Sequence, residues 1–175
     1  MSKLSSIKVG IKLPFLAKIE GVWEPDEDEQ KAAWEMYVEL VTRISVVELK
    51  SDEGLLREAL SSLYTLFATT RQILREYGPK VAQPKGKGEL SFGKIAITIL
   101  NEGLRPVLAK WHPLLLDHES KRTKSSSLLE HERTWEKADE LRTVLNSVRE
   151  SMLAYSNLLA QVADISPISP SVKDT

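Results

Sequence analysis

Residues 138–162 read ADELRTVLNSVRESMLAYSNLLAQV. Within them Ala138, Leu141, Leu145, Val148, Met152, Tyr155, Leu159 and Val162 follow one another at alternating intervals of three and four. That interval keeps apolar side chains on one stripe of an α-helix, the period of bundle or coiled-coil packing. A helix with such a stripe must bury it against something, and the rest of the chain offers three more segments of the same kind.

Working back from this stretch, the spacing predicts a helix over 128–163, preceded by the polar basic loop Ser120–Ser127. Upstream of that loop, Ala96, Ile97, Leu100, Leu104, Val107, Trp111 and Leu114 mark the inner face of a third helix, from Phe92 to Leu116, with Ser91 placed to cap its start. Pro106 and Pro113 each remove a backbone donor, so kinks are expected near 102–106 and 109–113. A second basic loop, 79–90, carries two prolines, two glycines and three lysines and reads as a mobile connection.

Leu56, Leu60, Leu63, Phe67, Thr70, Leu74 and Tyr77 define a second helix, ended by Gly78-Pro79. Ser51-Asp52-Glu53-Gly54 supplies the turn before it and a cap for its start. The first helix is expected over 26–50, with Ala33, Tyr37, Leu40, Val41, Ile44 and Val47 as its stripe. Its start carries Glu24, Asp26, Glu27, Asp28 and Glu29, negative charge that suits the positive end of a helix.

Residues 1–25 stand apart. Ile7, Val9, Ile11 and Leu13 alternate with Ser6, Lys8, Gly10 and Lys12, the period of a half-buried strand. Pro14 ends the alternation, and no clear period follows it. The expected architecture is therefore all-α: an up-down-up-down four-helix bundle over 26–164 with a kinked third helix. An extended N-terminal segment (1–25) precedes it and a flexible tail (165–175) follows.

Composition narrows the chemistry. The 175 residues contain no cysteine, which removes disulfides, thiolate metal sites and cysteine nucleophiles. Twenty-four basic residues face 25 acidic ones, so no overall positive field favours nucleic acid, and no nucleic-acid partner is expected. The longest apolar-rich stretch, Ile95 to Leu116, is interrupted by Asn101, Glu102, Arg105, Lys110 and His112, so no membrane association is expected. The first residues do not resemble a secretory signal, and a cytoplasmic location is the expectation.

No Gly-rich phosphate loop, Gly-x-Ser-x-Gly or His-Glu-x-x-His is present, and enzyme is the minority reading. His118 and His131 flank the basic loop and face each other across a predicted hairpin. The ligand spacing of a metal site is missing, so neither metal nor cofactor is expected.

Two surfaces remain as candidates. On an ideal helix Asn101, Arg105 and His112 share one side beside Trp111, a set of donors suited to a carboxylate or phosphate. The plainer alternative pairs Glu102 with Arg105 on the surface, or has Arg105 cap carbonyls freed by Pro106. The other surface is for a protein partner or a second copy in a homodimer: Ile7, Val9, Ile11 and Leu13 on the N-terminal segment, and Arg142 and Arg149 beside the 138–162 seam. The preferred functional expectation is a non-catalytic interaction or assembly module. A small anionic-ligand or catalytic site on the Asn101/Arg105/His112 face is the alternative.

Overall fold

A computed structural model describes residues 6–43, 48, 50 and 52–168. The protein is mainly helical with one two-stranded antiparallel sheet. The expected solitary strand is half of a hairpin. Strand β1 (Ile7–Lys12) pairs with β2 (Lys18–Trp23) in a register that sets Ile7 opposite Trp23 and Lys12 opposite Lys18. β2 escapes a period-2 reading because Gly21 and Val22 interrupt the alternation of buried and exposed residues that Lys18, Ile19 and Glu20 begin. Ile7, Val9, Ile11, Leu13, Ile19 and Trp23 all point into the protein's own core.

Among the described residues six helices follow: α1 (Glu27–Val41), α2 (Leu56–Tyr77), α3 (Phe92–Thr98), α4 (Arg105–Ser120), α5 (Leu128–Arg133) and α6 (Ala138–Val162). α6 lies against both α1 and β1, and α2 contacts α1, α4 and α6. The 138–162 seam is thus buried inside this chain: Leu141, Val148, Met152, Tyr155, Leu159 and Val162 are all core residues.

Several element boundaries differ from the expected ones, each for a local reason. α1 stops at Val41, where the hydroxyl of Thr42 turns back to donate to the Val38 carbonyl. Ile44 and Val47, expected on its stripe, lie outside the described residues, as does Ser51. The predicted helix 128–163 is split into α5 and α6. At the break the Thr134 hydroxyl takes the His131 carbonyl, and Trp135 is buried against Trp111 and His118. In the third segment the irregularity sits at Ile99–Leu104, a π-helical turn in which the Arg105 N–H reaches the Leu100 carbonyl five residues back. Widening the turn just before Pro106 accommodates the missing donor. No second break occurs: α4 continues through Pro113. Ala109 and Pro113 are exposed there, so water can serve the carbonyl that loses its donor.

Two buried carboxylates organise the helix starts. Asp26 and Glu29 form a capping box on α1, with Asp26 Oδ1 accepting from Glu29 N at 2.9 Å and Glu29 Oε2 accepting from Asp26 N at 3.1 Å. Glu29 is only 1% exposed, and its Oε1 also accepts from Trp23 Nε1 (3.1 Å) and from Phe92 N at the start of α3 (2.9 Å). One side chain therefore ties β2, α1 and α3 together. At the other site, Leu55 stands at the N-cap of α2 and has no capping oxygen of its own. Glu132 of α5, 2% exposed, supplies it, accepting from Leu56 N with both carboxylate oxygens at 3.1 and 3.0 Å.

The basic connection 79–90 is pinned down. Lys80 pairs with Asp28, and Lys85 bridges Asp26 and Glu29, so its lysines neutralise the acidic start of α1. Val81 in the 3-10 turn Pro79–Ala82 is fully buried, and this turn rides on Gly93 of α3. A Cβ on Gly93 would lie 2.7 Å from the Ala82 Cβ and 2.8 Å from its Cα. Gly93→Ala should therefore push two backbones apart and cost about 1–3 kcal/mol. A urea melt checks this, with a lower midpoint at unchanged slope expected.

Candidate functional site

The seam between α2 and α4 collects most of the polar residues that the sequence singles out. Asn101 and Arg105 do meet: Asn101 Oδ1 accepts from Arg105 Nη2 at 3.0 Å and from Nε at 3.3 Å. Glu102 makes no ion pair with Arg105; the side chain that engages this guanidinium is Asn101. Arg105 also lies over the Phe67 ring of α2, its Cζ 5.3 Å from the centroid. Arg71, one turn along α2, approaches the same ring at 6.0 Å.

His112 sits farther along the seam with different partners. Arg57 of α2 donates through Nη1 to His112 Nδ1. It also holds Glu119 through Nε and Nη2, each at 2.9 Å from its nearest carboxylate oxygen. A guanidinium can only donate, so His112 Nδ1 is an acceptor and the ring proton resides on Nε2. The ring stands edge-on to Tyr64 at 6.0 Å, and Tyr64 is 6.1 Å from Phe67. The seam therefore carries a continuous row: His112, Tyr64, Phe67 and the two guanidiniums beside it. Tyr64 is 60% exposed.

Trp111 belongs to the core. It is 1% exposed, packs edge-on against Trp135 at 6.1 Å, and its Nε1 has no hydrogen-bond partner among the described residues. His118 and His131 do come together, as stacked rings 4.0 Å apart. Each ring donates its Nε2–H to the other's backbone carbonyl, at 2.7 and 2.6 Å, which makes the pair a clasp between α4 and α5. Among the described residues no group of three side chains is placed to hold a metal ion.

The surface expected for a partner is rearranged. Ile7, Val9, Ile11 and Leu13 are at most 6% exposed, so their side chains line the protein's own core and offer no open face. Arg142 turns inward, with Nη2 3.8 Å from Glu132 Oε1 and Nη1 3.4 Å from the Lys50 carbonyl. Arg149 binds Asn146 on its own helix at 3.0 Å.

The hairpin tip places two large apolar residues side by side in solvent. Phe15 is 59% exposed and Leu16 fully exposed. Both hold positive φ, 62° and 66°, in the left-handed region that costs an L-residue about 1–2 kcal/mol. The turn is closed beneath them by Leu13 N donating to the Ala17 carbonyl at 2.7 Å. Ser151 of α6 fixes the last carbonyl of β1, its Oγ 2.7 Å from Lys12 O. Between tip and helix runs a groove of about 810 Å³, lined by Phe15 and Leu16 themselves together with Gly10, Ser147 and Ala154 and the charged Lys12, Lys18 and Glu150.

The tip is invisible to periodicity because its exposed residues are apolar and its strain is a backbone property. Arg57 and Glu119 lie 62 residues apart, so only the fold brings them together. The one local signal was Phe67 and Arg71, four apart on α2. No family model, curated protein or solved structure matches this chain.

Proposed function

We propose that the protein is a non-catalytic assembly module that pairs with a second copy of itself through the hairpin tip. The observation that carries this reading is the tip itself: two adjacent apolar residues, exposed and held at positive φ, where glycine would be less strained. Strain retained at an exposed position is expected where the side chains have work to do outside the monomer.

Three features favour a second copy as the occupant. The groove lies beside the tip, so a twofold axis lets each tip enter the other's groove, the isologous arrangement of most dimers. Gly10, Ser147 and Ala154 are the small residues of its lining, and its own Phe15 and Leu16 offer an apolar surface to the partner's tip. The lining also carries both signs of charge, so Lys12 or Lys18 of one copy meets Glu150 of the other. The scaffold in this proposal is the up-down-up-down arrangement of α1, α2, the α3–α4 rod and α6.

Light scattering on wild type, Leu16→Gly and Phe15→Gly/Leu16→Gly tests it. We expect a dimer mass for wild type at micromolar concentration and a monomer for the double variant. The glycine variants should unfold no earlier than the wild-type monomer, with Leu16→Gly gaining about 0.5–1 kcal/mol from released strain. A wild-type monomer throughout the concentration range would sink the proposal, as would a dimer indifferent to both substitutions.

A further inference from the structure

A second surface, independent of the hairpin, has the makings of a ligand site. Arg43, Arg57 and Arg142 each meet a carboxylate. Arg71 and Arg105 do not: neither makes an ion pair among the described residues. Both flank Phe67, so their guanidinium carbons are no more than about 11 Å apart. Arg105 is oriented by Asn101, whose carbonyl oxygen takes two of its donors and leaves both the Asn101 amide hydrogens and the remaining Arg105 donors free to face a ligand. Unpaired, pre-oriented guanidiniums are the side chains best suited to phosphate oxygens.

Beside this cationic end lies an exposed π-face. Tyr64 lies 6.1 Å from the Phe67 ring and 6.0 Å from His112 and is 60% exposed. His112 is fixed by Arg57 in the tautomer that carries its proton on Nε2, which makes it a donor at the edge of that platform. Arg75, Glu76, Glu102 and Lys110 are the other charged residues nearby in sequence, all exposed, and none is ion-paired to the guanidiniums.

We infer that the α2–α4 seam binds a nucleoside phosphate. Arg71, Arg105 and the Asn101 amide hold the phosphates, the base stacks on Tyr64, and His112 Nε2 donates to the base edge. The order along the seam, guanidiniums, Phe67, Tyr64, His112, matches the order of phosphate, sugar and base in such a ligand. Aromatic stacking accepts any base because every base has a π-face, so the site selects the class of ligand before the identity of the base.

The probe is ADP without metal, titrated calorimetrically into the full chain, with pyrophosphate and adenosine as the two halves. ADP should bind with Kd below about 1 mM, tighter than either half alone. Arg71→Ala and Arg105→Ala should each weaken ADP about tenfold. Tyr64→Ala should weaken ADP and leave pyrophosphate unchanged. Both arginines are exposed, so a thermal melt of each variant should match wild type and separate lost binding from lost fold. No saturable ADP binding at 10 mM, set as roughly tenfold above the expected limit, would overturn the assignment. So would ADP affinity unchanged in the Arg71→Ala/Arg105→Ala double variant, or ADP binding no tighter than pyrophosphate.

Discussion

Glu29→Ala should lower the unfolding free energy by about 3–5 kcal/mol, the largest loss expected from any single substitution here. Four donors converge on this carboxylate: Trp23 Nε1, the backbone N–H groups of Asp26 and Phe92, and Lys85 Nζ. Alanine leaves three of them without a partner, two of which, Trp23 Nε1 and Phe92 N, are buried, and each unsatisfied buried donor costs about 1–3 kcal/mol. Lys85 keeps Asp26, 2.9 Å away, so its charge stays paired. Glu29→Gln should be nearly as damaging. Its amide nitrogen would present hydrogens either to Trp23 and Phe92 or to Asp26 and Lys85, donors facing donors in both orientations. For a chain of this length the alanine variant should melt roughly 10 °C lower or more. Loss of less than about 1 kcal/mol in a urea melt would show that the hub contributes only geometry.

At Glu132 the informative variable is pH. Burial pushes the Glu132 carboxyl above its ordinary pKa, against the lowering influence of the Leu56 N–H and of Arg142. A carboxyl with a raised folded-state pKa binds its proton more tightly in the native protein than in the unfolded chain. Its contribution therefore favours the fold below the unfolded value and declines as pH rises from there through the folded value. Glu132→Gln removes that titration while keeping one oxygen to accept from Leu56. Relative to wild type it should be the less stable protein near pH 4 and should gain on it as pH rises. Glu132→Ala leaves the α2 start uncapped and should cost about 1–3 kcal/mol near pH 4, a cost that shrinks as pH rises because the same titration is lost. Urea melts of the three proteins between pH 4 and 8 check the prediction. A wild type that gains on Glu132→Gln as pH rises would contradict it.

These two residues also mark where reading the sequence succeeds and where it stops. The cap at Ser91 and the acidic start of α1 are local and legible in advance, whereas the capping box that Asp26 and Glu29 form there emerges only with the fold. What Glu29 and Glu132 do for helices 63 and 76 residues away is not local, and no spacing encodes it. The amphipathic stripes of α2 and α6 are legible because each helix buries one face against the rest of the chain. β2 is hidden by Gly21 and Val22, and the α5–α6 break by a turn whose purpose is to seat Trp135.

For the candidate sites the same division holds. Asn101 and Arg105 meet because they are one turn apart. His112 falls to Arg57, which sequence spacing cannot foresee. The N-terminal alternation does find a strand, but its apolar face serves the interior. Residues free for other roles are those at the turn, where apolar character interrupts the pattern.

The hairpin and α1 both lie against α6, the last helix among the described residues. A ribosome makes these elements in the opposite order from the one in which they become useful to each other. At about 5–20 residues per second, α6 follows the hairpin by on the order of 10 s. Throughout that interval the apolar side of β1 lacks the helix it packs against in the folded protein. A message broken before the codon for Ser151 would yield a product that cannot close over its own beginning.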